Sequence, residues 1–192
     1  MKIKKLEYYD EEYQWKLEAV EFSQNLNLLV GVSGAGKTQI LNAIRRLKKI
    51  SNGKSLNGVQ WNIEFSTNGK LEYHWQGKFE TRKINQLILD ELDDEKDSDF
   101  ESEKSKILYE HLSCNGKIII DRNEDQIKFK GNLTPKLSPF KSAIDILSPE
   151  EDIIPVKEEF SKITFIDYEN IGRKLWRLPI STIKKYLSLI HI

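Results

Sequence analysis

The sequence predicts an α/β fold that carries an antiparallel β insert and a partial helical lobe. Residues 26–30 (LNLLV) form an almost continuous apolar run, which is typical of a strand buried on both faces. This run leads into a glycine-rich loop, and residues 38–50 then place their apolar side chains on one helical face. Before the run, residues 2–8 and 15–22 alternate in polarity, as half-buried strands do.

The middle third predicts antiparallel strands. Asn115-Gly116 supplies the positive φ angles that a tight hairpin needs, and Thr67-Asn68-Gly69 separates an earlier strand pair. Between these hairpins lies an acidic stretch, residues 90–104, which we interpret as a solvated loop or helix end. The predicted strands are residues 59–66, 70–76, 106–112, 117–121 and 126–130.

The last third predicts helices. Residues 142–147 form a short amphipathic segment, and Ser148 followed by Pro149 has the pattern of a helix start. Pro155 is expected to restart or kink this helix before residues 156–162. Residues 163–166 (ITFI) read as a buried strand.

Composition narrows the possible functions. The 192 residues include 30 basic and 30 acidic side chains, so no net field favours nucleic acid or an anionic membrane. The single cysteine, Cys114, excludes an internal disulfide, and no apolar run is long enough for a membrane span. We therefore expect one compact unit in the cytoplasm.

Residues 31–38 (GVSGAGKT) match the phosphate-binding pattern G-x-x-x-x-G-K-[ST] at every fixed position. The preceding apolar run and the following helix are the context that this motif requires, so the fold prediction becomes a P-loop NTPase core. The predicted nucleotide-binding residues are Gly31, Ser33, Gly34, Ala35, Gly36, Lys37, Thr38 and Gln39.

Each fixed residue of this loop has a physical role. The glycines let successive backbone N–H groups point at phosphate oxygens, and the helix N-terminus adds its positive field. Lys37 would neutralise the β and γ phosphates, and the Thr38 hydroxyl would bind Mg²⁺. The expected cofactors are therefore ATP and Mg²⁺.

Hydrolysis also requires a carboxylate that holds the metal through water. Asp90 and Glu91 follow the apolar residues 87–89, and Asp167 ends the run at 163–166. Both segments imitate the strand that carries this carboxylate, but the first lies between two hairpins instead of after a crossover helix, and the second lacks a following glutamate. These three residues are candidates, and an ordinary amphipathic segment with a charged end is the alternative for each.

The order of strand pair, NLNLLVGVSGAGKTQILNAI, antiparallel insert and helical segment resembles the N-terminal half of ABC-type AAA family ATPases of the RecF, SMC and OLD group. The resemblance implies an ABC ATPase-like N-terminal lobe over residues 1–186, with the strand pair and P-loop at 1–50, the insert at 57–131 and a helical segment at 138–186. It also implies a head-to-head dimer that acts on nucleic acid or an effector protein in prokaryotic DNA maintenance or phage defence.

No signature loop or switch histidine of that family is recognisable here, so we expect this chain to be an N-terminal fragment that does not hydrolyse ATP alone. Residues 187–192 (LSLIHI) can be encoded by a sequencing-library adaptor, and a native amphipathic tail is the alternative. Four aromatic residues are candidates for stacking on adenine, although aromatic residues in strands more often pack in a core. These are Tyr8, Tyr9, Tyr13 and Trp15.

Two other functions fit the same loop. A self-contained P-loop kinase or NTPase would use Asp90 or Asp167 and would turn over briskly as the isolated chain. A non-catalytic interaction module would be stabilised equally by ADP and ATP, with no turnover and no dimerisation.

Overall fold

A computed structural model describes residues 1–67, 71–82, 104–124 and 126–166 of the chain. Within this part, eight strands and three helices are present. The strands are β1 (Lys2–Asp10), β2 (Trp15–Glu21), β3 (Val59–Ser66), β4 (Glu72–Phe79), β5 (Ile107–Cys114), β6 (Lys117–Asn123), β7 (Ile127–Phe129) and β8 (Asn132–Leu133). The helices are α1 (Lys37–Ser51), α2 (Ala143–Ile146) and α3 (Ile154–Lys162).

All eight strands belong to one antiparallel sheet in the order β2-β1-β3-β4-β5-β6-β7-β8. The fold is therefore rich in β structure, with a few short helices, and the predicted α/β P-loop NTPase core is wrong. The prediction assumed that the N-terminal strand pair and the later strands were separate. Instead, β1 pairs with β3 along nearly its whole length and joins them into one sheet.

One face of the sheet carries the core. Trp61 and Trp75 contact each other edge to face with ring centroids 5.1 Å apart, and Phe160 of α3 meets Trp75 at 5.2 Å. Gly77 lies opposite Trp61, and a Cβ added there would come within 2.5 Å of the indole ring. The absence of a side chain at Gly77 thus leaves the space that this ring occupies.

The helix α1 covers the same core. Ala43, Ile44, Leu47 and Ile50 are buried, which confirms the amphipathic helix predicted at 38–50. Its buried face packs against the antiparallel sheet, whereas the predicted P-loop core has this helix follow a buried strand at 26–30.

The apolar run 26–30 is not a strand, so the prediction of a central buried strand is wrong. Leu28 and Val30 are 80% and 81% exposed. The strands of the described part pair with one another in the antiparallel sheet, and none of them pairs with this run. A continuous apolar run indicates a buried strand only where other strands flank it.

Several local predictions are confirmed. Asn115 and Gly116 both have positive φ, at 48° and 78°, and they connect β5 to β6. Ser142 caps α2 by accepting a hydrogen bond from the N–H of Ile144. The helix expected at Ser148 begins only at Ile154, and residues 163–166 form no strand.

A buried charge attaches α2 to the sheet. The Glu110 carboxylate is fully buried on β5, where it accepts hydrogen bonds from the Trp75 indole, the Ser142 hydroxyl and the Ala143 N–H. Arg122 lies 3.7 Å away and donates to the carbonyls of Lys141 and Ser138. Burial lowers the pKa of Arg122, and the charge of Glu110 opposes that effect.

We expect Glu110→Ala to lower the free energy of unfolding by about 3 kcal/mol, because it leaves the buried Arg122 without its opposite charge and several buried donors without their acceptor. Urea denaturation followed by circular dichroism measures this loss.

The matched control is Glu18→Ala, the same change on the exposed strand β2, where Glu18 pairs with Lys16 at the surface. It should change stability by no more than about 0.5 kcal/mol. Equal effects of the two substitutions would contradict the buried network.

Candidate functional site

The loop of residues 31–36 lies at the surface and leads directly into α1. Gly34 and Gly36 have φ angles of 85° and 83°, in the left-handed region that favours glycine. The Ala35 N–H donates to the Val32 carbonyl at 3.2 Å, which closes a tight turn. The backbone of residues 31–36 is therefore curled, with the Ala35 N–H bonded inside the turn.

Gly36 is the N-cap of α1, and no side chain caps this helix end. Its carbonyl accepts the N–H groups of Gln39 and Ile40 at 3.0 and 3.3 Å. The first turn has no acidic residue that could neutralise the positive end of the helix dipole. The backbone N–H groups of Lys37 and Thr38, which precede the first helical bonds, are thus suited to an anion.

Lys37 folds back over the loop. Its ammonium group donates to the carbonyls of Gly31 and Val32, both at 2.7 Å. This places a positive charge beside the turn formed by residues 31–36. The motif lysine and the glycines that the sequence singled out are therefore brought together.

The remaining predicted site residues fall in two groups. Ser33, Ala35, Thr38 and Gln39 are exposed on or next to the loop, where a ligand could reach them. The candidate carboxylates Asp90, Glu91 and Asp167 lie outside the described residues.

The described residues of the loop offer fewer ligands for magnesium than donors for phosphate. Thr38 is exposed next to Lys37, and its hydroxyl would be the protein's ligand to a magnesium ion. In the described part of the chain, no cluster of three or more histidine, cysteine or acidic side chains could hold a metal ion by itself.

A cavity of about 360 Å³ opens between α1 and the β1–β2 hairpin. From the helix it is lined by Gln39, Asn42, Ala43 and Arg46, which share one face at spacings of three and four residues. From the hairpin it is lined by Tyr8, Asp10, Tyr13 and Trp15.

An ion pair joins the two sides of this cavity. Arg46 donates to the carboxylate of Asp10, and only 2% of Asp10 is exposed. The other Asp10 oxygen accepts the Tyr13 N–H at 3.2 Å, and the Arg46 guanidinium lies 5.3 Å from the centre of the Tyr13 ring. These contacts fix the hairpin against the helix.

Sequence analysis missed Asp10, Asn42 and Arg46 as members of this site. Asp10 and Arg46 are 36 residues apart, and neither belongs to a recognisable motif. The only available signal was the period of α1, which places Gln39, Asn42 and Arg46 on the same helical face. Tyr13 and Trp15 line the cavity, whereas Tyr9 is on the opposite face of β1.

Comparisons of the chain with family models, curated proteins and solved structures found no match. Among the described residues, no helix combines the length and apolar character needed to cross a membrane.

Because residues 26–30 are exposed, a substitution in this run tests whether it lies outside the core. We expect Leu28→Ala to change the free energy of unfolding by less than about 0.5 kcal/mol, because an exposed side chain loses few contacts. Chemical denaturation at low protein concentration measures this change.

The comparison variant is Ile63→Ala, which truncates a fully buried side chain of β3 and should cost about 3 kcal/mol. A similar loss on Leu28→Ala would mean that residues 26–30 are packed in the core after all.

Proposed function

We propose that this chain binds ATP and that residues 31–38 hold its phosphates. The supporting observation is that three features meet at one point: a loop with two left-handed glycines, an uncapped helix N-terminus and the Lys37 ammonium. Each alone is common in proteins. Together they provide backbone donors and a positive charge for a group with several negative oxygens.

The Lys37 ammonium could bind a phosphate by exchanging its present acceptors for phosphate oxygens. Its ammonium is already held at the start of the loop by two neutral carbonyl acceptors. A phosphate oxygen carries a negative charge that a carbonyl oxygen lacks, so Coulomb attraction would let it compete well for the same ammonium donor. Only the lysine side chain needs to move, while the glycine turn keeps its shape.

Magnesium bound to ATP would neutralise phosphate charge, and Thr38 is the residue that would contact it. For hydrolysis, Asp90, Glu91 and Asp167 remain the candidate carboxylates. The RecF, SMC and OLD resemblance, with its head-to-head dimer and its nucleic acid or effector partner, also remains a proposal. This resemblance is supported by the glycine-rich loop of residues 31–38 and by the position of that loop after the N-terminal strand pair.

A cytoplasmic location belongs to the same proposal. ATP is available there, and the free cysteine Cys114 suits a reducing compartment.

We expect Lys37→Ala to weaken ATP binding at least about tenfold, because it removes the only side-chain cation placed on the loop by the described contacts. Isothermal titration calorimetry with MgATP measures the change.

Lys49→Ala is the matched control, since Lys49 is an exposed lysine in the last turn of the same helix. Twelve residues of helix separate it from Lys37 by about 18 Å. The ATP affinity of the Lys49→Ala variant should equal that of the unmodified chain. Unchanged binding by Lys37→Ala, with the fold intact, would refute the proposed phosphate site.

A further inference from the structure

The cavity between α1 and the β1–β2 hairpin starts close to the proposed phosphate site. Gln39 lies two residues beyond Lys37, and Arg46 lies nine residues beyond it, on the same face of α1 as the cavity. At about 1.5 Å per residue, the cavity extends from about 3 Å to about 13 Å along the helix from Lys37. A group joined to a phosphate at this helix end could therefore enter it.

The Tyr8 hydroxyl has no acceptor for its proton among the described residues, although only 3% of Tyr8 is exposed. Arg46, which lies beside it, can only donate. A buried donor without an acceptor is unfavourable, so the structure gains if something in the cavity accepts its proton. Burial raises the pKa of Tyr8, and the nearby charge of Arg46 opposes that shift. The hydroxyl therefore keeps its proton at neutral pH and can donate it.

The cavity has the chemistry of a site for a flat, neutral molecule. Asp10 and Arg46 neutralise each other across it, so neither charge is left to attract a second ion. Rings of Tyr13 and Trp15 form part of the wall, and the amide of Asn42 adds a donor and an acceptor. Its volume lies at the lower end of the about 300–1,000 Å³ that is usual for small-molecule pockets.

We propose that this cavity receives the nucleobase of the bound triphosphate and that the Tyr8 hydroxyl donates a hydrogen bond to it. The inference rests on the proposed function, because the phosphates at residues 31–38 position the base. It goes further by assigning base recognition to Tyr8 and Asn42. The site should therefore distinguish nucleobases by their polar edges as well as by ring stacking.

The test compares ATP with tripolyphosphate, which carries the phosphate chain but no base. Tyr8→Phe removes the hydroxyl and keeps the ring, so we expect ATP to bind about tenfold more weakly while tripolyphosphate binding is unchanged. Tyr9→Phe is the matched control, because Tyr9 lies on the opposite face of the same strand. It should leave both affinities as they are.

Asn42→Ala gives an independent variant, since it changes a half-buried residue of the cavity wall and introduces a good helix-forming residue. We expect it also to weaken ATP and to spare tripolyphosphate. For the unmodified chain, ATP, GTP, CTP and UTP should differ in affinity by about tenfold or more. Circular dichroism confirms that each variant is folded.

The outcomes separate the two proposals. If Lys37→Ala weakens both ligands and both cavity variants leave ATP binding unchanged, the phosphate site stands and the nucleobase site is overturned. Equal affinities for all four nucleotides and tripolyphosphate would also overturn it. If Lys37→Ala affects neither ligand, the proposed function itself fails.

Discussion

Burial of aromatic side chains between the sheet and the helices is the interaction on which this structure depends. Trp61, Trp75 and Phe65 project from neighbouring strands, and Phe160 of α3 packs edge to face on two of them. Aromatic residues bury more apolar surface than any other type, so this layer supplies much of the stabilisation available to a chain of this size. The positions of α1 and its N-terminal loop follow from it.

The candidate site shows how a rigid core supports an exposed loop. Ala43, Ile44 and Leu47 fix α1 on the sheet, while the ion pair between Asp10 and Arg46 fixes the hairpin on α1. The glycine turn then projects from the N-terminus of a helix that cannot shift easily. A ligand that contacts both loop and cavity would be held by two elements whose relative position is already set, which lowers the cost of ordering them on binding.

Exposure of residues 26–32 contrasts with the buried core. Leu26, Leu28, Val30 and Val32 are all largely exposed, directly before the turn that the motif occupies. Stable proteins expose single apolar residues often, but rarely four in one short segment. The loop thus combines a backbone shaped by local glycines with flanking residues that contribute little to the described core.

The sequence by itself determined the local structure. Alternating polarity located β1 and β2, Asn115-Gly116 gave the turn before β6, and the helical period located α1, because each of these features depends on neighbours within a few residues. The glycine turn and the position of Lys37 were predictable for the same reason. Only the tertiary structure decided that the described strands join one antiparallel sheet and that the run at 26–30 is exposed, since strand pairing depends on distant partners. It also decided that Tyr8, Asp10 and Arg46 share a cavity, because no local pattern links β1 to a helix more than thirty residues away.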